Sequence, residues 1–372
     1  MKVPYPGAID CDIHLTVPGT RALLPFFDEF WREQILTRYI DRNPFTLMSY
    51  PPDSPASARA DWRGEKFPGS DLDGLRRQAL DPFGTSIAIA NTLHGSVALF
   101  NEDLAAAFCS AVNDWVAAER LDKEPRLRAS ILVPAQSVEH AVREIERLAP
   151  DRRFVQIVLL VMNDHPLGRR AYWPIYQAAA RHGLPVCLHA GSLYRHAPTS
   201  SGYPSYQVED QVAQSSAFES QVVSFLAEGV FQKFPDLKLV LAESGFTWLP
   251  TLIWRTNKEW RGVRHEVPWL DEPPADIVRR HVRFTLQPLD LPKGEAGAAL
   301  LRTLEHVGSD EFLLFSTDYP HWHFDGEDVL PDGLPPALVR KILFDNPRAT
   351  YPRLGESADA GGGARQSEET VP

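Results

Sequence analysis

Two rhythms of apolar residues alternate along this chain. One is the short, nearly continuous apolar run of a buried strand, and the other is the three-to-four-residue spacing of an amphipathic helix. Apolar runs fall at residues 9–14, 85–90, 128–134, 154–162, 184–189, 238–242, 282–286 and 312–316. Helical spacing fills the intervals at about 20–39, 71–80, 101–120, 137–149, 170–182, 208–231, 248–260 and 297–307, with a closing helix at 336–344. Strands alternating one-for-one with helices predict a parallel sheet, and eight of them predict a closed (β/α)8 barrel of the TIM type.

Two stretches interrupt the rhythm. Residues 43–70 are rich in Pro, Ser, Asp and Gly, which predicts an excursion after the first strand, with the whole insertion spanning about 43–80. Residues 191–207 form a second polar loop carrying Tyr194, Arg195, His196 and Tyr203. The barrel is expected over 1–354 as one domain. The tail, 355–372, has a Gly-Gly-Gly run and several acids and is expected to be disordered.

Composition narrows the function. With 44% hydrophobic and 23% charged residues among 372, the chain can bury a large core. A net charge of −11 argues against nucleic acid as a partner, since phosphate binding needs clustered Lys and Arg. No apolar run reaches the roughly 18 residues of a membrane span, and the first residues lack a signal peptide's apolar core, so a cytoplasmic protein without a membrane partner is expected. Cys11, Cys109 and Cys187 form neither a close metal pair nor an even disulfide set, and are expected to be small core residues.

The chemistry gathers at strand ends. In Ile9-Asp-Cys-Asp-Ile-His14, residues i and i+2 of an extended strand share a face, so Asp12 and His14 can reach one metal ion. Three later runs end in His189, Glu243 and Asp318, groups that bind metals or move protons. Such delivery at the C-terminal ends of strands is how barrel enzymes build sites. Asp10 lies on the same strand face and is expected to bond nearby backbone. His140, His182 and His306 fall on helices or their ends and need no special role.

Taken together, Asp12-Ile-His14, Leu188-His-Ala-Gly191, Glu243-Ser-Gly-Phe-Thr-Trp-Leu-Pro250, Ser316-Thr-Asp-Tyr-Pro-His321 and the closing Ile342-Leu-Phe-Asp-Asn346 resemble a known family over about residues 8–354. It is the amidohydrolase-related family of metal-dependent TIM-barrel enzymes, in the branch of aminocarboxymuconate-semialdehyde decarboxylase and γ-resorcylate decarboxylase. The resemblance implies one divalent metal, zinc ahead of manganese, held by Asp12, His14, His189 and Asp318. It implies a small-molecule substrate and a homodimer. Asp318, Glu243 and His321 are the candidate catalytic groups, and Arg195, His196, Trp248 and His94 the candidate substrate contacts. Many members carry a histidine where this chain has Glu243, which could act as acid, base or added ligand.

Two reactions fit this set. Non-oxidative decarboxylation of an aromatic or unsaturated carboxylic acid is favoured by the acid-x-His first pair. The alternative is hydrolysis of an amide, ester or lactone by metal-activated water. Hydratase-like chemistry and a metal-free binding protein are lesser alternatives.

Overall fold

The computed structural model describes residues 5–42, 57–192, 197, 199–323 and 330–355. All eight apolar runs form strands: β1 (Ile9–His14), β2 (Ile87–Asn91), β3 (Leu127–Leu132), β4 (Phe154–Met162), β5 (Val186–Ser192), β6 (Leu239–Ala242), β7 (Val282–Thr285) and β8 (Leu313–Leu314). Each pairs in parallel with its neighbours in sequence order. The circle closes where the segment after β8 runs beside β1. Cys11 N–H donates to the Phe315 carbonyl (2.8 Å), Asp318 N–H to Asp12 (2.9 Å) and His14 N–H to Tyr319 (2.6 Å). The seam of the barrel therefore lies between two segments that carry site residues.

Asp10 locks that seam. Its carboxylate accepts the Thr317 N–H (3.0 Å) and hydroxyl (2.6 Å) and the Asp12 N–H (3.3 Å), the backbone role its position predicts. A buried carboxylate is tolerable only with such partners. The three cysteines are free and buried, as expected.

The principal helices are α1 (Glu29–Thr37), α2 (Glu102–Val116), α3 (Val138–Leu148), α4 (Trp173–Arg181), α5 (Gln207–Ala227), α6 (Leu249–Val263), α7 (Pro274–His281) and α8 (Ala296–Val307). Their apolar faces cover the outside of the sheet, and helix and sheet side chains merge into one core. The expected helix over 20–39 is broken. Pro25 sits in a tight turn after Thr20–Leu23, and Asp28 restarts the helix by accepting the Trp31 N–H (2.8 Å). The helix α7 was not expected, because its Pro-rich start reads as loop. Proline at the first helical position instead favours initiation.

The closing helix continues beyond 344 through a wider turn to Asn346–Thr350. There the Asn346 amide donates to the carbonyls of Asp310 and Leu313 (3.0 Å each), pinning this segment to β8. Arg353 donates to the carbonyls of Phe154 (2.7 Å) and His182 (2.9 Å), at the entry to β4 and just before β5. The N-terminal end of the barrel is thus tied shut, and the site belongs to the other end.

Part of the expected insertion, 43–56, and the tail 356–372 lie outside the described residues. The insertion's later part lies against the loop after β8. Ala58 pairs antiparallel with His321, Arg59 N–H donates to Pro320 (2.9 Å) and Trp322 N–H to Ser57 (2.9 Å). Among the described residues no helix is long and apolar enough to cross a membrane.

Candidate metal centre

The C-terminal ends of β1, β5, β6 and β8 deliver five of the predicted groups to one place. Potential ligand atoms of Asp12, His14, His189 and Glu243 lie within 4.8 Å of one another, as do those of His14, Glu243, Asp318 and His321. His14 Nε2 stands at the middle, 3.1 Å from Glu243 Oε1, 3.1 Å from Asp318 Oδ1 and 3.6 Å from Asp12 Oδ1. His189 Nε2 lies 3.6 Å from Asp12 Oδ1 and 3.8 Å from Glu243 Oε1. Side-chain exposure rises from 0% at Asp12, His189 and Asp318 through 14% at Glu243 to 24% at His323. The first three form a floor, and the others form the wall toward the mouth.

Backbone strain accompanies the two acids. Glu243 has φ 56° and Asp318 φ 54°, left-handed conformations that cost a non-glycine residue on the order of 1–3 kcal/mol. Gly245, φ 61°, continues the turn after β6; a Cβ there would come within 2.2 Å of Asp290 Oδ2.

Partnerless atoms show what the cluster is built to hold. The Ala190 carbonyl can only accept, so its contact with His189 Nδ1 (2.8 Å) holds a proton there, and it is Nε2 that presents a lone pair once the ring is neutral. That Nε2, Asp12 Oδ2 and Asp318 Oδ2 are buried with no hydrogen-bond partner. Buried polar atoms without partners are costly, and imidazole nitrogens with carboxylate oxygens are the donor set of a divalent transition metal. The residues present fit one divalent ion: Asp12, His14, His189 and Glu243 close on one point, and Asp318 stands in an overlapping group with His14, Glu243 and His321. The family model for amidohydrolases matches residues 9–353.

The chain belongs to the amidohydrolase family. Among curated relatives, the γ-resorcylate decarboxylase of Polaromonas sp. is 24% identical over 278 residues, covering 71% of this chain and 82% of the relative. That of Rhizobium radiobacter is 22% identical over 267 residues, covering 68% and 79%. Among solved structures, the 5-carboxyvanillate decarboxylase of Sphingomonas paucimobilis has a TM-score of 0.66 at 20% identity, covering 93% of this chain and 99% of that one. A dihydroxybenzoic acid decarboxylase from Polaromonas sp. with bound manganese and the inhibitor 2-nitroresorcinol has a TM-score of 0.66 at 20% identity, covering 95% and 98%. These structures share the barrel of this amidohydrolase.

Electrostatics set a proton against the metal. Burial alone would drive the proton off His189, but Glu243 and Asp12 outweigh it and lift its pKa to about 9. Burial opposes the proton on His321 too; Asp318 and Glu243 prevail and hold it well above the ordinary imidazole range. A ligand nitrogen must lose its proton to bind metal, so binding should release protons and tighten as pH rises toward 9. Adding manganese to metal-free protein in weak buffer at pH 7 should acidify the solution. Competition against a chelator at pH 6, 7.5 and 9, corrected for the chelator's own protonation, should show rising affinity; a flat profile would contradict it.

A polar chain across β1 to β4 orients Asp12, the first candidate ligand. The Asn91 amide donates to Asp12 Oδ1 (2.8 Å), the Ser130 hydroxyl donates to Asn91 Oδ1 (2.5 Å), and the Gln156 amide donates to Ser130 Oγ (2.9 Å). Asn91 thereby fixes Asp12 with Oδ2 free. Outer partners of metal ligands typically contribute about 10–100-fold in metal affinity. Asn91→Ala is expected to weaken manganese binding within that range while the fold, checked by circular dichroism, persists; unchanged affinity would make the chain purely structural.

The other predicted residues fall differently. Arg195, His196 and Tyr194 lie outside the described residues. His94 caps the turn 95–98, accepting the Ser96 N–H through Nδ1 (3.2 Å), and stacks on Phe108 with ring centres 5.7 Å apart. Trp248 donates its indole N–H to the Ser244 carbonyl (3.0 Å) and packs edge-on against Phe284, beneath the loop that carries Glu243. Glu243 bonds to His14 and His321, in place of the ion pair with Arg255 that its type would also allow.

Sequence reasoning missed His323, Asn91, Ser130 and Gln156. His323 Nδ1 lies 3.7 Å from Asp318 Oδ2. A signal for the network exists: Gln156 and Ser130 are polar residues inside otherwise apolar strand runs, a place that demands a partner.

Proposed function

We propose that this amidohydrolase is a metal-dependent decarboxylase acting on a small hydroxyaryl carboxylic acid. The observation that carries this reading is the Asp318–His321 pair, Oδ1 to Nδ1 at 2.7 Å, directly beside the candidate metal ligands, with Asp318 buried and His321 part-exposed. Decarboxylation of an aryl acid requires a proton delivered to the carbon that loses carbon dioxide, and this pair holds one at the edge of the site. Similarity to the γ-resorcylate decarboxylases along most of their length supports the same reading.

When bound, the ion supplies the positive charge that holds the substrate's carboxylate and adjacent hydroxyl at the mouth. The residues do the rest. His321 keeps a proton at Nδ1 within reach of Asp318 Oδ1, and Glu243 Oε1, 3.1 Å away, steadies that imidazolium. Asp318 passes the proton to the ring carbon bearing the carboxylate; the carbon–carbon bond breaks, its electron pair restores the ring, and carbon dioxide leaves. The proton that Asp318 passes on is the one it takes from His321 Nδ1, and His321, part-exposed at the mouth, then regains a proton from solvent. Full burial of Asp318 keeps water from its side of the pair. His321 thus stands in for the histidine that many family members carry where this chain has Glu243.

Manganese is our choice of metal over the zinc expected from sequence. Carboxylates of Asp12, Asp318 and Glu243 outnumber the imidazoles of His14 and His189, and hard oxygen donors suit manganese. A homodimer is the expected assembly, checked by light scattering on the purified protein.

Manganese-loaded protein given 2,6-dihydroxybenzoate or 5-carboxyvanillate should release carbon dioxide and leave neutral esters of the same phenols intact. Ester or amide cleavage without carbon dioxide release from any carboxylated phenol would replace this reading with hydrolysis.

A further inference from the structure

Asp318 and His321 stand at the two ends of one turn, which the His321 N–H closes by donating to the Asp318 carbonyl (2.8 Å). The 2.7 Å separation of Oδ1 and Nδ1 lasts only while that turn keeps its shape. The turn starts from a strained residue, since Asp318 has φ 54°, and such a conformation persists only where its surroundings hold it.

The insertion after β1 supplies the hold. Arg59 N–H donates to the Pro320 carbonyl and Trp322 N–H to the Ser57 carbonyl (2.9 Å each), while Ala58 pairs with His321. These are backbone contacts that most side chains would allow. Tyr319 is held by side chains instead. It is 2% exposed, its ring centre lies 5.0 Å from that of Trp62, and its hydroxyl donates to Gln78 Oε1 (2.8 Å). Gln78 Nε2 donates to the Trp62 carbonyl (3.1 Å), which turns the amide oxygen toward the tyrosine. From the other side, the His14 N–H donates to the Tyr319 carbonyl (2.6 Å). A buried hydroxyl deprived of Gln78 would lose its acceptor at the full cost of desolvation, so this bond is a fixed point of the turn.

We infer that Gln78 is a positioning residue for proton delivery, acting through the Tyr319 hydroxyl to hold the Asp318–His321 turn. It fixes the residue next to the acid, and with it the direction in which Asp318 Oδ1 meets His321 Nδ1. The floor of the site is held separately, Asp12 by the Asn91 amide and His189 by the Ala190 carbonyl. Loosening Tyr319 therefore slows proton delivery before it releases metal. The insertion is thus part of the reaction machinery, although none of its described residues belongs to either group of candidate ligands. This inference rests on the reading of Asp318 and His321 as the proton-delivering pair.

Gln78→Met, Tyr319→Phe and the double variant test it in manganese-loaded protein. Each single variant keeps the size of its side chain and removes one end of the bond. Carbon dioxide release per bound metal should show kcat lowered about tenfold in each, less than the roughly 100-fold that a 1 Å misplacement can cost. KM and metal content should stay within about threefold of the parent chain. The double variant should be no slower than the slower single one, because both substitutions remove the same bond. Crystal structures of the parent and of Gln78→Met should show Asp318 Oδ1 and His321 Nδ1 moving beyond about 3.2 Å in the variant. Should Gln78→Met fail to fold, Tyr319→Phe serves for both measurements. A kcat within about threefold of the parent, with only the melting temperature lowered, makes the bond purely structural and overturns the inference. So does a loss carried by KM or metal content, additive losses in the double variant, or a variant structure with the pair unmoved. A parent chain that releases no carbon dioxide from any carboxylated phenol overturns the decarboxylase reading instead, and the two crystal structures then decide the positioning by themselves.

Discussion

Asp318→Asn is expected to lower turnover by about a thousandfold, within the 10²–10⁴-fold range that a positioned acid or base typically contributes. The substitution keeps the size of the side chain and an oxygen that can still face the ion, so metal should remain bound, though more weakly. What it removes is the oxygen that takes a proton from His321 Nδ1 at 2.7 Å. The amide cannot carry that proton to carbon. Steady-state release of carbon dioxide, normalised to measured metal content, reads the effect, and turnover within about threefold of the parent would show that the proton comes from elsewhere.

His189→Ala should be harsher. This imidazole is fully buried, has its Nδ1 proton committed to the Ala190 carbonyl, and presents an Nε2 with no other partner. Its removal takes away a primary ligand, so the loss of affinity should exceed the roughly 10–100-fold attributed to outer partners such as Asn91. Purified variant should contain essentially no metal and release no carbon dioxide. Because the ring is fully buried, some loss of thermal stability is expected as well, about 2–4 kcal/mol by analogy with other large-to-small core changes. Full metal occupancy in this variant would remove His189 from the coordination set.

The barrel was legible because parallel strands covered on both faces read as continuous apolar runs, and runs such as Phe154–Met162 leave little choice. Asp12 and His14 were legible because the two-residue repeat of a strand puts them on one face. Elements shaped by proline were not: Pro25 split a predicted helix, and Pro274 began one where a loop was expected. The left-handed turns at Glu243 and Asp318 carry no sequence mark, since nothing in an acid's identity signals φ near 55°.

Long-range convergence was the least legible part. That Glu243 bonds His14 and His321, 229 and 78 positions away, follows from barrel closure and from the direction each strand end takes, not from spacing. His323 passed unnoticed because a histidine two residues beyond His321 looks like loop, and only its approach to Asp318 Oδ2 gives it meaning. The family resemblance supplied the ligand set that spacing alone left open; the distances group three of its members, Asp12, His14 and His189, with Glu243, and put the fourth, Asp318, in an overlapping group through His14 and Glu243.

A crystal of the full chain grown with manganese, with an anomalous difference map recorded at the manganese edge, tests the centre most directly. The account predicts a peak bounded by Nε2 of His14 and His189 and by carboxylate oxygens of Asp12 and Asp318, each about 2.0–2.3 Å away. A map with no peak among these four side chains, from protein shown to be folded and exposed to excess manganese, would contradict it.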